Sequence, residues 1–345
     1  MSDSSRQAES TGSPGTETVV VLGAGSWGTA LAHLISAKGA PTRLWARSRE
    51  AAGLLTQAEE NVKYLPGVSL ANVAVSADLA DVLMGAQWVV AALPCAVVSE
   101  LASTLRDALP PQAVVISGTK GLDPESGLRP SQIWERHSQL PAMRYVALSG
   151  PNLAKEIAAG VPTSTVVASE NPAVAGAAQQ LLSTPAFRVY TNADLIGVEL
   201  GGALKNVVAI AAGISDGLGF GDNSKAAIIT RAWREMTRLA VTLGARETTL
   251  FGLSGIGDLF ATCASPHSRN HSLGYLLARG ETLSEAQHEV AQVAEGVHTT
   301  RAALHLARAV GVELPITEQV AAILFAGRDP RQAVTELMSR QGCSE

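Results

Sequence analysis

Short apolar runs separated by amphipathic stretches fill the first half of the chain. Residues 18–22, 42–46, 73–75, 88–93, 113–117 and 145–148 read as strands. Residues 29–37, 80–84 and 96–108 carry the wider helical spacing of apolar positions between them. Strand alternating with helix predicts a parallel, doubly wound sheet covered on both faces. Two later runs, 163–168 and 187–190, extend that sheet. From Asp194 onward the strand signal fades and helical periods take over. Across 225–243, Ile228, Ile229, Ala232, Trp233, Met236, Leu239, Ala240 and Leu243 fall on one face. Further helices are predicted at 268–278, 299–310, 317–325 and 330–339. The expected division is a tail at 1–16, a sheet domain at 17–193 and an all-helical domain at 194–345, with the boundary near 191–196. At 345 residues the chain is long enough for two cores.

The glycines give the first half its chemistry. Gly23, Gly25 and Gly28 stand as GxGxxG directly after the first strand and directly before the first helix. That context makes the motif a dinucleotide cradle. Gly23 permits the tight turn, Gly25 lets a pyrophosphate approach the backbone, and Gly28 lets helix and strand lie close. The helix N-terminus adds partial positive charge at the phosphates. An NAD-specific site carries an acid near the end of the second strand; this chain has Arg47 and Arg49 there. A guanidinium attracts a 2'-phosphate, so Arg47 points to NADP(H), with Arg49 either assisting or solvated.

Charge then narrows the partners. The net charge of −5 and pI near 5.8 exclude the basic footprint of a nucleic-acid binder. A mildly acidic protein must concentrate its cations locally to hold an anion. Four segments place polar groups among small residues. Lys120 follows the strand at 113–117, either facing the crevice or exposed on a loop. Lys205 and Asn206 interrupt an otherwise apolar helix in which Gly201 and Gly202 share the lysine's face. A buried lysine is costly without a partner. The two glycines strip that face of side chains, so that a ligand can lie beside the amine; close helix packing is the alternative. Asp258 follows a glycine-rich turn, as a ligand contact or a helix cap. Ser268, Arg269 and Asn270 open a helix, which suits a phosphate but is also how a serine caps.

Three widely spaced cysteines, Cys95, Cys263 and Cys343, form no disulfide or zinc pattern and fit a reducing compartment. The first sixteen residues are polar, without the apolar segment of a signal peptide. No apolar run is read as approaching the roughly eighteen residues of a membrane-crossing helix. A cytoplasmic protein without a metal is expected.

Taken in order, GAGSWGTALA, TKGL, LSGPNLAKEIAAGVPT, the long run from IGVELGGALKN to AAIITR, GLSGIGDLFATC, SRNHSLG and VAEGVHTT resemble the bacterial-type glycerol-3-phosphate dehydrogenases. The resemblance spans Thr18 to about Arg340. It implies NAD(P)-dependent, reversible hydride transfer between glycerol 3-phosphate and dihydroxyacetone phosphate, supplying phospholipid synthesis, with NADP or NAD as cofactor and a homodimer as the assembly. It makes Lys205 the proton acceptor, and Lys120, Gly150, Lys205, Asp258, Ser268, Arg269 and Asn270 substrate contacts. Ser26, Trp27, Arg47, Lys120, Ala154, Arg269, Val293 and Glu295 become cofactor contacts beside Gly23, Gly25 and Gly28. Two positions depart from the family. Asn152 stands where Ser or Thr is usual, a substrate contact modified rather than lost. Cys95 stands where a small hydroxyl residue is common. On the residues alone, two other readings stay open: a dehydrogenase of another hydroxy compound, which leaves the SRN clamp without a purpose, and an NADP sensor, which leaves Lys205 without one.

Overall fold

The computed structural model describes residues 17–265, 268–290 and 293–339. The tail at 1–16 and Cys343 lie outside them. The first half runs β1 (Val19–Leu22), α1 (Ser26–Ala37), β2 (Thr42–Trp45), α2 (Arg49–Ala58), β3 (Glu60–Asn61), β4 (Leu65–Ser69), β5 (Val73–Ser76) and α3 (Leu79–Leu83). It continues through β6 (Trp88–Ala91), α4 (Val98–Leu105), β7 (Val114–Ser117), α5 (Pro130–Ser138), β8 (Tyr145–Ser149), α6 (Ala154–Ala158), β9 (Thr163–Ala168), α7 (Pro172–Leu182) and β10 (Phe187–Asn192).

Eight strands form one sheet in the order β10-β9-β8-β7-β6-β1-β2-β5. β1 is buried along its whole length, as a central parallel strand must be when helices cover both faces. The order reverses around β1, between β2 and β6, and opens a crevice at the strand C-termini. The sheet is not parallel throughout, in contrast to the sequence expectation. β9 runs antiparallel to β8, and β10 is parallel to β9. A parallel neighbour needs a full crossover, usually a long helix. The link after β8 holds only the five-residue α6, which turns the chain back instead.

The second half is helical: α8 (Leu195–Gly217), α9 (Asp222–Thr242), α10 (Glu247–Leu250), α11 (Asp258–Ala264), α12 (Arg269–Ala278), α13 (Leu283–Val290), α14 (Glu295–Val310), α15 (Pro315–Ala326) and α16 (Pro330–Met338). The expected glycine-rich turn before Asp258 is a single π-helical turn, Leu253–Gly257. α8 corrects the reading that no apolar run nears membrane-crossing length. It has 23 residues, a mean hydropathy of 1.6 and 94% of its apolar window buried within the protein. It is the axis of the helical half, with α9, α11, α12 and α14 packed around it. Polar Glu199, Lys205 and Asn206 sit inside that axis, each with protein partners.

Two contacts fix α8 in place. At its first turns the buried Glu199 carboxylate accepts from Ser131 N and Oγ, both at 2.7 Å, and from Tyr145 Oη at 2.9 Å, and pairs with Arg129. These partners belong to the sheet half, so Glu199 joins the two halves. Burial, and then the Glu199 charge, hold the Tyr145 phenol protonated well above its ordinary range. Further along, α8 and α12 cross almost backbone to backbone. A Cβ on Gly213 would strike the His271 carbonyl, and one on Gly274 the Ile210 carbonyl. That crossing carries the start of α12 to the side of Lys205.

Removing one partner of a buried, fully bonded ion pair costs about 3–5 kcal/mol. Glu199→Ala is therefore expected to lower the melting temperature by about 5–10 °C, with Glu199→Gln, which keeps an acceptor for Ser131, milder. A thermal melt unchanged by the alanine would show that the network adds nothing net.

Candidate active site

A cleft of about 810 Å³ lies between the sheet crevice and the helical half. On the sheet side its wall is the GxGxxG loop. Gly23 has a φ of 109°, and a Cβ there would clash with Ala92 and Leu93. A Cβ on Gly28 would strike the Gly23 carbonyl, so this glycine lets α1 descend onto β1. Around a Cβ on Gly25 nothing lies within 4 Å. Gly25 is the N-cap of α1 without any side-chain cap, which leaves the first amides of the helix turned to the cleft. An open backbone at a helix N-terminus fits a dinucleotide pyrophosphate. Trp27 leans over Gly118 at the end of β7 and lines the cleft with Ser26.

Facing the cradle is a buried cluster. Lys205 Nζ donates to Asp258 Oδ1 at 2.6 Å and to Thr262 Oγ1 at 2.5 Å. Lys120 Nζ donates to the other oxygen of the same carboxylate at 2.8 Å and to the Gly150 carbonyl at 2.7 Å. Side-chain exposure is 8% for Lys205, 17% for Lys120 and 3% for Asp258. One carboxylate cannot neutralise two ammonium groups, and Lys205 is the more deeply buried. Burial pulls its pKa down to about 8; Asp258 pulls it back up and Lys120 pushes it lower again. Lys205 therefore exchanges its proton close to neutral pH.

The glycines beside Lys205 serve packing, which corrects the reading that they clear space for a ligand. A Cβ on Gly201 would meet the Ser254 carbonyl at 2.8 Å, and one on Gly202 would meet Ser149 Oγ at 2.5 Å and the Lys120 stem at 3.6 Å. They let α8 nest against the π-turn and β8. The room they provide is filled by protein, because the turn that delivers Asp258 must approach the helix that delivers Lys205. Asp258 begins α11 and caps nothing; its side chain is committed to the lysines.

At the far end of the cleft, Ser268 caps α12 by accepting from His271 N at 3.3 Å, while Arg269 beside it stays exposed to the opening. Asn270 is buried: its amide donates to Asn206 Oδ1 at 2.9 Å and its Oδ1 accepts from Gly296 N at 2.9 Å. Asn206 in turn donates to the Lys120 carbonyl at 3.3 Å. This chain holds α8, α12, α14 and the Lys120 loop in one register. Glu295 Oε1 accepts from Cys95 N at 3.1 Å, and its Oε2 is buried with no protein partner. Burial pushes its pKa up to about 7 against the opposing pull of the Cys95 amide and Arg269. Both polar atoms of the Asn152 side chain are likewise buried without a protein partner. Buried polar atoms are nearly always bonded, so such atoms in a cleft wall mark where a polar ligand belongs.

Not every expected residue reaches the cleft wall. Ser26, Trp27, Lys120, Asn152, Lys205, Asp258, Ser268, Arg269, Asn270, Val293 and Glu295 do. Gly23 and Gly28 shape the cradle from behind, Gly150 contributes its carbonyl to Lys120, and Ala154 opens α6 just outside. Arg47 is exposed past the end of β2, beyond the cleft wall. Cys95 is fully buried behind Gly121, and burial raises its thiol pKa. Two participants escaped the sequence reading. Thr262 lies four residues after Asp258, the spacing that puts both on one face of α11. Tyr64 lines the cleft from the β3–β4 hairpin, tethered by Asn61, which donates to the Ala24 carbonyl at 3.0 Å and to Thr29 Oγ1 at 2.7 Å. The periodicity of so short a hairpin is not readable.

A dinucleotide cradle facing a desolvated lysine and an open helix start that carries Arg269 defines a two-domain NAD(P)-dependent dehydrogenase. Residues 18–175 match the family model of the NAD-dependent glycerol-3-phosphate dehydrogenase N-terminus, and 194–335 that of its C-terminus. The chain belongs to this family. It is 46% identical over 329 residues to the glycerol-3-phosphate dehydrogenase [NAD(P)+] of Carboxydothermus hydrogenoformans, covering 94% of this chain and 97% of that one. It is also 46% identical to the enzyme of the same name from Thermobifida fusca, covering 95% and 98%. Among solved structures, the glycerol-3-phosphate dehydrogenase of Coxiella burnetii superposes with a TM-score of 0.90 at 37% identity, covering 94% of this chain and 99% of that one. That of Saccharomyces cerevisiae superposes at 0.80 with 27% identity, covering 94% and 99%.

The position of Arg47 sets a test of cofactor choice. Arg47→Ala is expected to raise the KM for NADPH by about tenfold, the loss of one charge-assisted contact, and that for NADH far less. Equal effects on both would remove Arg47 from the 2'-phosphate.

Proposed function

We propose that Lys205 is the acid/base of this enzyme, that Lys120, Asp258, Asn152 and the Ser268–Asn270 helix start hold its phosphorylated substrate, and that the cradle with Glu295, Val293 and Arg47 holds the cofactor. The activity itself is that of glycerol-3-phosphate dehydrogenase [NAD(P)+]: reversible oxidation of a CH–OH group, with glycerol 3-phosphate on one side and dihydroxyacetone phosphate on the other. The nicotinamide, when bound, exchanges a hydride with C2 of the substrate. In oxidation, neutral Lys205 accepts the C2 hydroxyl proton; in reduction the ammonium form returns it to the forming alkoxide. Asp258 fixes the direction of the amine and Thr262 takes its second hydrogen bond. Lys120, paired with the same carboxylate, brings positive charge to the developing oxyanion. Arg269 stands at the opening, where a guanidinium and a helix N-terminus converge on a phosphate.

The single observation that carries this reading is the buried Lys205, held on a shared carboxylate across the cleft from the open Gly25 backbone. The glycerol 3-phosphate it supplies is the backbone of phospholipids. The division at 193/194, a cytoplasmic location and a homodimer belong to the same proposal. The helical second half and the widely spaced cysteines support the first two, and a sedimentation measurement tests the last.

Lys205→Ala is expected to lower kcat by about 10²–10⁴, the range for a general acid–base group, with NADPH affinity little changed and a smaller loss of melting temperature than Glu199→Ala, because Asp258 keeps Lys120 as its partner. Lys205→Arg should rescue poorly, because a guanidinium does not give up its proton at working pH. An active, well-folded Lys205→Ala enzyme would end the assignment. Arg269→Ala should weaken dihydroxyacetone phosphate by about ten- to a hundredfold and leave the poor activity on unphosphorylated dihydroxyacetone nearly unchanged. Equal losses on both substrates would make Arg269 a structural or cofactor residue.

A further inference from the structure

A second cavity, of about 400 Å³, opens on the outer surface between α14 and α15. Its volume falls within the range of small-molecule sites. Its floor is Leu304, Ala321, Ala322 and Phe325, and its rim is Arg301, His305 and Arg308. The rim residues continue a pattern along α14: His298, Arg301, His305 and Arg308 recur at intervals of three and four, so they lie on one face of the helix. His298 lines the catalytic cleft, and the other three lie at the second cavity. Three basic side chains gathered on one rim stand out in a chain of net charge −5. Among the described residues no carboxylate forms an ion pair with Arg301, His305 or Arg308. Glu318, one turn before Ala321 and Ala322 on α15, is the nearest acid along that helix face and pairs with none of them.

The lining also selects the kind of anion. Two guanidiniums without a carboxylate partner and an imidazole on an apolar trough suit a charged head with an apolar body; a bare inorganic anion would leave the floor uncovered. An aromatic body is disfavoured, because the ring that could stack on it is already engaged: the Arg301 guanidinium lies 4.1 Å from the centre of the Phe325 ring. What remains is an aliphatic wall of Leu304, Ala321 and Ala322, where two alanines on α15 leave a shallow channel between the helices. The geometry points to a second ligand site here for an amphiphilic anion of the fatty acyl class, its phosphate or carboxylate head on Arg301, His305 and Arg308 and its chain along Ala321, Ala322 and Leu304. The site is separate from the cleft and does not depend on the roles given to Lys205 or Arg269.

Calorimetric titration of the full chain tests it, with NADPH and glycerol 3-phosphate both present. That pair is reduced on both sides, does not turn over, and keeps the probe out of the catalytic cleft. Dodecyl phosphate below its micelle concentration is expected to bind. Inorganic phosphate and the neutral dodecyl maltoside should each bind at least tenfold more weakly. The double variant Arg301→Gln/Arg308→Gln, and separately Ala322→Trp, which fills the channel and leaves every cation in place, should each weaken dodecyl phosphate at least tenfold while melting like the parent. Equal binding by inorganic phosphate would reduce the site to a surface charge patch, and equal binding by the maltoside would remove the role of the cations. Undiminished binding to either variant would place the probe elsewhere. Absence of binding to the parent, with loss of a dimer in the double variant on sedimentation, would make the groove a contact between two copies of the chain. Each of these results overturns the proposal.

Discussion

The Asp258 carboxylate, shared between Lys205 and Lys120, is the interaction on which the rest of the structure depends. All three groups are withdrawn from water, and a buried charge that loses its partner is expensive. The arrangement therefore persists only if three distant segments are delivered to one point: the end of β7, the middle of α8 and the start of α11. Much of the fold can be understood as that delivery. The π-turn at Leu253–Gly257 aims Asp258 inward, and Gly201 and Gly202 let the turn and β8 approach α8 closely enough for the side chains to meet. Burial, with Lys120 beside it, leaves the proton on Lys205 loosely held against the pull of Asp258, which is the property an acid/base group needs.

The same economy of backbone contact builds the far end of the cleft. Gly213 and Gly274 let α8 and α12 cross without side chains between them, so that Arg269 and Asn270 start within reach of Asn206. The hydrogen-bonded run from the Lys120 carbonyl through Asn206 and Asn270 to Gly296 then ties four segments together. Displacement of any one of them would be felt at the reacting atoms, where an ångström matters. Glu199 plays the matching part at the other end of α8, holding the helical half to the sheet half.

Where sequence and structure agree, the signal is local or periodic. β1 followed by Gly23, Gly25 and Gly28 is a strand–turn–helix whose meaning is fixed within ten residues: Gly23 and Gly28 sit in close contact and Gly25 is open, as the motif requires. The amphipathic faces of α9 and α14 were legible in the spacing of their apolar positions. Lys205 and Asn206 stood out because polar groups interrupt an apolar helix. What was not legible is whatever depends on pairing between distant segments. The reversal of β9 follows from the shortness of α6, which no apolar pattern announces. Gly201 and Gly202 read as room for a ligand, because nothing in the sequence tells that Ser254 and Ser149 press on them. α8 satisfies the length and hydropathy of a membrane helix, and only the helices packed around it show that it is a core. Thr262 and Glu199 were not singled out within their motifs, because their partners lie 57 and 54–70 residues away.

The central claim, that burial beside Lys120 leaves the Asp258-held Lys205 as a near-neutral acid/base, is tested most directly by the pH dependence of kcat/KM in both directions. A folded pKa of about 8, lowered from 10.5, means that the neutral amine predominates above that value and the ammonium below it. Oxidation of glycerol 3-phosphate should therefore rise with pH and level off above about 8, and reduction of dihydroxyacetone phosphate should fall through the same ionisation. A transition near the ordinary lysine value of 10.5, or rates flat across that interval in both directions, would contradict the account.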